Sequence, residues 1–385
     1  MPRHPWPSAL NKAALCLVLS IWVLAPTCVA ESIRAGCATP LWAAEVLENL
    51  SGARNLPTPE LIDKNRAGIT FLDEEKLLVY EVDVNTGRLS SRESPDVSSP
   101  YRLRARVFDI HSGKVIVSKE WGTRVHGSAI QVTSGGVLVQ TGELLRLYSR
   151  DFVHLQELTL PHRDADDTDI ISVSASGKTV LINRYNQKFS RFDVLDGDTL
   201  NLRQRWSEAP PLRRLYSISD TGIAAADFNQ EHVLFTKFGT GAWQLVVGKP
   251  KLTCVGLPAL VTDSSLVIGC KGLSLISTDG NFIYQDGFGK GEALRPEIAI
   301  SQNDKTVAAS LDVTRGTDFW DTGKGIRLVA MYVIAYDLSL KKRSLKVEVA
   351  PVPKNDYDFA LSPEGSRLAI LTDRRVTVCS VAAAQ

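Results

Sequence analysis

The chain is poor in several things that would have named a function. Only two methionines occur among 385 residues. After the first thirty positions no apolar run reaches the roughly 18 residues that a membrane-spanning helix needs. No charge of one sign dominates: 44 Lys and Arg stand against 43 Asp and Glu, a formal net charge of +1. That balance excludes the basic footprint expected of a nucleic-acid or anionic-lipid binder. Linear catalytic signatures are missing too, with no HExxH, no G-x-S-x-G elbow and no CxxC. The histidines beyond residue 30 (His111, His126, His154, His162 and His232) fall in no metal-ligand spacing. What remains is ordinary globular composition, 44% hydrophobic and 23% charged, with 27 glycines and 18 prolines that point to many short turns.

The N-terminus reads as a processing segment. Arg3 and Lys12 precede an apolar run over Ala13–Ala25, then Pro26 and the small-residue stretch Cys28-Val29-Ala30. This predicts a signal peptide over residues 1–30 cleaved after Ala30, and so a secreted or periplasmic protein without a transmembrane segment. Ala25-Pro26-Thr27 is a poor approach to a lipidated Cys28, which argues against a lipoprotein. The mature chain would carry a charge of −1 and four cysteines: Cys37, Cys254, Cys270 and Cys379. In an oxidising compartment they allow three pairings. Cys254 with Cys270 would be local, and Cys37 with Cys379 would tie the two ends together. Four buried thiols are the alternative.

A repeat organises the rest. A hydrophobic residue, then Ser or Thr, a polar turn and an apolar strand recur in Ile171–Leu181, Ile218–Ala225, Ile300–Ala308 and Leu361–Ala369. Weaker copies run through Leu72-Asp73, Val132-Thr133 and Val261-Thr262. The marker positions are 73, 133, 174, 219, 262, 301 and 362, separated by 60, 41, 45, 43, 39 and 61 residues. A period near 40–45 marks a β-propeller with four strands to a blade. A second landmark is an apolar strand ending in a polar turn, at Val107–Gly113, Phe192–Gly197, Leu275–Gly280 and Ile334–Ser339. It predicts the hairpin between a blade's third and fourth strands. Trp121 and Trp206 follow Asp109 and Asp193 by 12 and 13 residues, equivalent places suited to packing between neighbouring sheets.

These landmarks resemble the seven-bladed propeller superfamily of YVTN-type, WD-type and quinoprotein-like repeats, over about Ala67 to Val381, and most closely its uncharacterised exported bacterial members. The resemblance implies an all-β, seven-bladed propeller of four-stranded antiparallel blades over 67–385. The lone Trp320-Asp321 lies in an insertion and adds nothing to it. After Ser362 the chain has room for strands near Arg367–Thr372 and Val376–Val381 but for no fourth strand. A segment of the 31–66 extension, between Asn55 and Lys64, is expected to complete the last blade, although Pro57 and Pro59 suit only an edge strand. Leu41 to Leu50 reads as a short amphipathic helix, with Leu41, Val46, Leu47 and Leu50 roughly on one face.

Candidate sites are few. The sixth-blade insertion offers Arg315, Asp318, Phe319, Trp320, Asp321 and Lys324 as a binding rim, with Trp320 as anchor. Asp164, Asp166, Asp167 and Asp169 crowd one loop and could hold Ca²⁺, though the Gly and distal Glu of an EF-hand are absent. Solvated loop charge is the plainer reading. Arg102, Arg104 and Arg106 alternate on one strand, as charges guarding a sheet edge or meeting an anion in the channel. Gly323-Lys324 fails as a phosphate loop, Gly287–Gly291 is a plain loop, and Asn49-Leu50-Ser51 is a glycosylation sequon. The expectation is a monomeric exported propeller that binds or scaffolds a protein or small ligand, with no nucleic acid and no specified cofactor. The alternatives are a propeller enzyme, lactonase-like or a lyase, with its centre at the channel mouth, and a quinoprotein-type redox protein.

Overall fold

The computed structural model describes residues 37, 41–46, 67–84, 101–123, 130–160, 168–186, 188–208, 216–226, 232–248, 258–269, 271–315, 327–353 and 357–381. Their strands, in chain order, are β1 (Trp42–Glu45), then β2 (Ala67–Phe71), β3 (Lys76–Val84), β4 (Tyr101–Asp109) and β5 (Val115–Thr123) of blade one. Blade two holds β6 (Ile130–Thr133), β7 (Gly136–Thr141), β8 (Leu144–Tyr148) and β9 (His154–Thr159). Blade three holds β10 (Thr168–Val173), β11 (Thr179–Tyr185), β12 (Ser190–Asp196) and β13 (Leu202–Glu208). Blade four follows with β14 (Tyr216–Ile218), β15 (Gly222–Ala226), β16 (His232–Lys237) and β17 (Gln244–Gly248). Blade five is β18 (Pro258–Thr262), β19 (Ser265–Gly269), β20 (Gly272–Ser277) and β21 (Phe282–Gly287). Blade six is β22 (Glu292–Ile300), β23 (Thr306–Arg315), β24 (Arg327–Asp337) and β25 (Lys342–Glu348). Blade seven takes β26 (Tyr357–Leu361), β27 (Arg367–Thr372) and β28 (Arg375–Ser380), and its fourth strand is β1.

Every sheet is four-stranded and antiparallel, six of them meanders of consecutive strands and the seventh closed by β1, and the first strands of neighbouring blades touch one another around a central axis. This is a seven-bladed β-propeller. The hydrophobic core is divided into seven layers, each between two adjacent blades. Strand alternation produces that division. Val180 and Ile182 of β11 pack toward blade two, while Leu181 between them packs toward blade four. The outermost strands β9, β13 and β21 show mostly exposed or half-buried residues, as expected where only one edge is paired.

The Ser/Thr repeat has one physical meaning: it closes the turn between a blade's first and second strands. Ser174 Oγ accepts the Thr179 N–H at 3.2 Å, Ser301 Oγ that of Thr306 at 3.0 Å, and Ser362 Oγ that of Arg367 at 3.1 Å. Ser219 does the same for Gly222, and Asp73, the odd copy, uses its carboxylate for Lys76. Each side chain satisfies a turn amide that the hairpin leaves unpaired. The second landmark closes the outer hairpin: Asp109 Oδ1 accepts from Ser112, Asp196 Oδ1 from Thr199, and Asp337 Oδ1 from Leu340. In blade three the turn carboxylate is therefore Asp196, while Asp193 lies inside β12.

Three expectations about local structure change. The segment expected as a helix is a strand at Trp42–Glu45, and no helix occurs among the described residues. Ala44 and Val46 face the layer between blades seven and one while Leu41 is exposed, an alternation of period two. So short an apolar segment fits either period until a pairing edge selects one. The last blade is indeed completed from the N-terminal side, but by β1, paired in register Trp42↔Val378 to Glu45↔Arg375. Residues 55–64 lie outside the described residues. Finally, β4 is no edge: it runs between β3 and β5. Arg104 sits directly across from Glu81 on one side and Glu120 on the other, bonded to each at 2.9 Å. Arg102 approaches Glu120, and Arg106 donates to the Val46 carbonyl at 3.1 Å. The arginines are internal ties, which neither an edge guard nor a channel anion site requires.

Candidate functional site

Antiparallel order puts the first-to-second and third-to-fourth turns of every blade on one face of the ring. The inner of these turns surround the mouth of the central channel. Next to the mouth, a hollow of about 150 Å³ is bordered by turn residues of blades three to six, including Ser176, Asp220, Asp263 and Asp304. Asp220, Asp263 and Asp304 occupy the inner turns of three consecutive blades.

The three carboxylates differ in their surroundings. Asp220 is held from blade three: Ser174 Oγ and Ser176 Oγ each donate to it at 2.8 Å, and Thr179 Oγ1 at 3.2 Å. Those bonds fasten blade three to blade four. Asp304 has partial burial and the negative charges of Asp220 and Asp263 against it, which push its carboxyl up to about 6. Its backbone is left-handed, with φ of 58°. Neighbouring turns supply the rigidity. Ser134 N donates to Gly177 O at 2.9 Å, and Gly177, with φ of 77°, could not carry a side chain because a Cβ would lie 2.5 Å from Ser134 N. Asn303 Nδ2 donates to Glu364 O at 2.9 Å, while Glu364 N and Ser366 Oγ donate to Glu74 at 2.6 and 2.7 Å.

Deeper in, a cavity of about 280 Å³ is bordered by first-strand residues such as Ile69, Ile130, Val173 and Ile300, with Gln131 and Gln302 as its larger polar members. Gln131 is already spent, donating Nε2 to Ile171 O at 2.9 Å. Among the described residues no histidine borders the mouth or this cavity, and no group of three or more metal-capable side chains occurs. Chemically, the mouth can neutralise and hydrogen-bond a cationic group.

The residues singled out from sequence fall elsewhere. Arg315 ends β23, opposite Arg327 of β24, so it belongs to the blade's sheet rather than to the insertion. Asp318, Phe319, Trp320, Asp321 and Lys324 lie outside the described residues, as do Asp164, Asp166, Asp167, Cys254 and Cys270. Asp169 is engaged by an arginine: its carboxylate, closed off from solvent, takes both Arg184 Nε at 2.7 Å and Nη2 at 2.9 Å. Cys37 and Cys379 form a disulfide, with Cα atoms 5.5 Å apart. Trp121 is buried between blades one and two and donates Nε1 to Tyr148 Oη at 2.8 Å. Trp206 stacks on Phe192 of its own blade and meets Phe238 of the next. The acidic mouth escaped notice because its members are 43 and 41 residues apart. Superposing the repeats would have found it, since Asp220 and Asp263 each follow the marker Ser or Thr.

With the geometry in hand, the class is that of WD40-like β-propellers by fold. No family model matches the chain, and no curated protein matches it. Among solved structures it is similar to a chain of the mitotic checkpoint complex, at 12% identity and a TM-score of 0.52, covering 90% of this chain and 96% of that one. It is similar as well to the Pan2 WD40 domain of Neurospora crassa, at 11% identity and a TM-score of 0.52, with the same coverage.

Proposed function

We propose that this propeller is an exported, non-catalytic binding module that receives a cationic side chain or terminus of a polypeptide partner at its channel mouth. The observation that carries this reading is the convergence of Asp220, Asp263 and Asp304 from successive blades on one hollow. Asp304, whose proton affinity is raised by burial and by the charges of Asp220 and Asp263, marks a place short of positive charge, and a Lys or Arg of a partner supplies it. A hollow of about 150 Å³ suits one side chain rather than a whole small-molecule substrate. The rest of the face would contribute area around that anchor. Among structures of the same fold, one is a component of a mitotic checkpoint assembly. Export is supported by the apolar leader over residues 1–30 and by the Cys37–Cys379 disulfide, a bond suited to oxidising compartments.

The test is fluorescence anisotropy with a labelled lysine-rich decapeptide at low and moderate salt. Wild-type protein should bind it, with affinity falling as salt rises. The Asp263→Asn/Asp304→Asn variant, which leaves the interblade ties of Asp220 intact, should bind at least about tenfold more weakly. Equal binding by both proteins would refute the reading.

A further inference from the structure

The ring is closed by its shortest outer strand. β1 offers four residues to β28, where β5 offers nine to blade one. Beyond the ladder, Leu41 N donates to Val378 O, Val46 N to Arg374 O, and Arg106 Nη1 of blade one to Val46 O. Ala44 and Val46 are its whole described contribution to the layer between blades seven and one. So little pairing is easily lost, and its loss would leave β28 as an open edge, a ready template for another strand. The same short segment is where the molecule places a covalent tie: Cys37, five residues before β1, is bonded to Cys379 of β28, 342 residues away in sequence.

We propose that the Cys37–Cys379 disulfide is a latch that confines β1 to its own ring, and that once the bond opens, β1 exchanges into the last blade of a second copy of this chain. The edge of β28 pairs in register with β1, and Arg106 beside it donates to Val46 O, so the fitting occupant is another β1. The covalent connection allows it: residues 47–66 between β1 and β2 permit at most about 70 Å of reach. Reciprocal exchange of identical strands closes both rings and makes a symmetric dimer without new contacts inside either. Opening follows thiol–disulfide exchange with a dithiol reductant. Cys379 is buried, whereas Cys37 is half exposed, so the reductant's thiolate attacks Cys37 Sγ and Cys379 leaves as a thiolate that takes up a proton. The reductant's second thiol then displaces Cys37 as a thiol and closes a disulfide within the reductant. Two electrons pass to the protein, and the dithiol is oxidised.

An equal mixture of unlabelled and ¹⁵N-labelled full chain, both oxidised, tests the proposal. It is treated with dithiothreitol under native conditions, freed of reductant, reoxidised and digested without reduction. Mass spectrometry then reads the Cys37–Cys379 peptide pair. The expected result is hybrid pairs, one light and one heavy, approaching half of the total, while amides of blades two to five keep their protection from hydrogen exchange. Only light–light and heavy–heavy pairs after reduction would overturn the proposal. So would a bond that dithiothreitol does not open in the native protein. Hybrids that form only with loss of protection in blades two to five would overturn it too, because they report global unfolding.

Discussion

The carboxylate of Asp358 accepts the backbone N–H of Ile69 through Oδ2 at 2.8 Å, across the seam where the last blade meets the first. Oδ1 accepts the N–H of Phe359 at 2.8 Å. The group is partly buried in β26, interacts electrostatically with Tyr80 and senses the charge of Glu297. Burial dominates over the two amide donors and pushes its carboxyl up to about 6.

That relationship fixes a pH dependence. A carboxyl whose folded value lies above its unfolded value of about 3.9 holds its proton more tightly in the folded state. Its contribution to stability therefore grows as pH falls from 7 through 6 and levels off near the unfolded value. Asp304 acts in the same direction. Asp109, Asp196 and Asp337 act oppositely: hydrogen bonds from Ser112, Arg203 and Ser339 respectively hold them low, so their contributions fade only below the usual carboxylate range. The melting temperature should rise between pH 7 and 5 and fall again below about pH 4. In Asp358→Asn the rise should shrink while the acid fall remains. A variant that keeps the full rise would show that Asp358 is already protonated at neutral pH or ordinarily solvated.

Ser362→Ala removes the oxygen that holds the Arg367 amide in a turn where Ser362 is fully buried. The expected loss is about 1 kcal/mol, the size of a turn or cap hydrogen bond. Ser112→Ala, on the exposed outer turn of blade one, should cost less. Urea unfolding of the two variants compares them directly.

The contrast between inner and outer turns bears on how much could be read beforehand. The seven inner-turn positions were legible because each does one local job within a few residues, so the period survives sequence drift. The closing strand was hidden because its pairing edge lies more than 300 residues away and nothing in Trp-Ala-Ala-Glu distinguishes strand from helix. The arginines of β4 were misplaced because alternation reveals a shared face and says nothing about neighbouring strands. The acidic mouth is assembled from turns of different blades, which no single stretch of sequence displays.

Trp121→Ala should be the most damaging of the single changes in the interblade layers. The ring lies 5.5 Å from Tyr148 and 5.7 Å from Phe152, and its loss empties space between blades one and two and strips Tyr148 of its donor. The expected cost is about 3–5 kcal/mol, read as a shift of the urea midpoint. Trp121→Phe should lose less, because most of the packing remains.

In blade one, Arg104→Met takes the guanidinium away from the buried Glu81 carboxylate and from Glu120, and should destabilise by about 3–5 kcal/mol. Adding Glu81→Leu should recover a large part of that loss, since the double variant leaves no uncompensated charge from the pair. A double-mutant cycle by chemical denaturation measures the coupling. Additive effects would show that the two groups do not depend on each other.

Ring closure by β1 is the claim on which the seam, the latch and the shape of the mouth all depend. Hydrogen exchange across β28, compared between the chain from residue 31 and a chain lacking residues 31–46, measures it most directly. The account predicts that amides of Val376 to Cys379 lose protection in the shortened chain while those of β11 and β12 keep theirs. Unchanged protection along β28 would mean that the last blade stands without its borrowed strand.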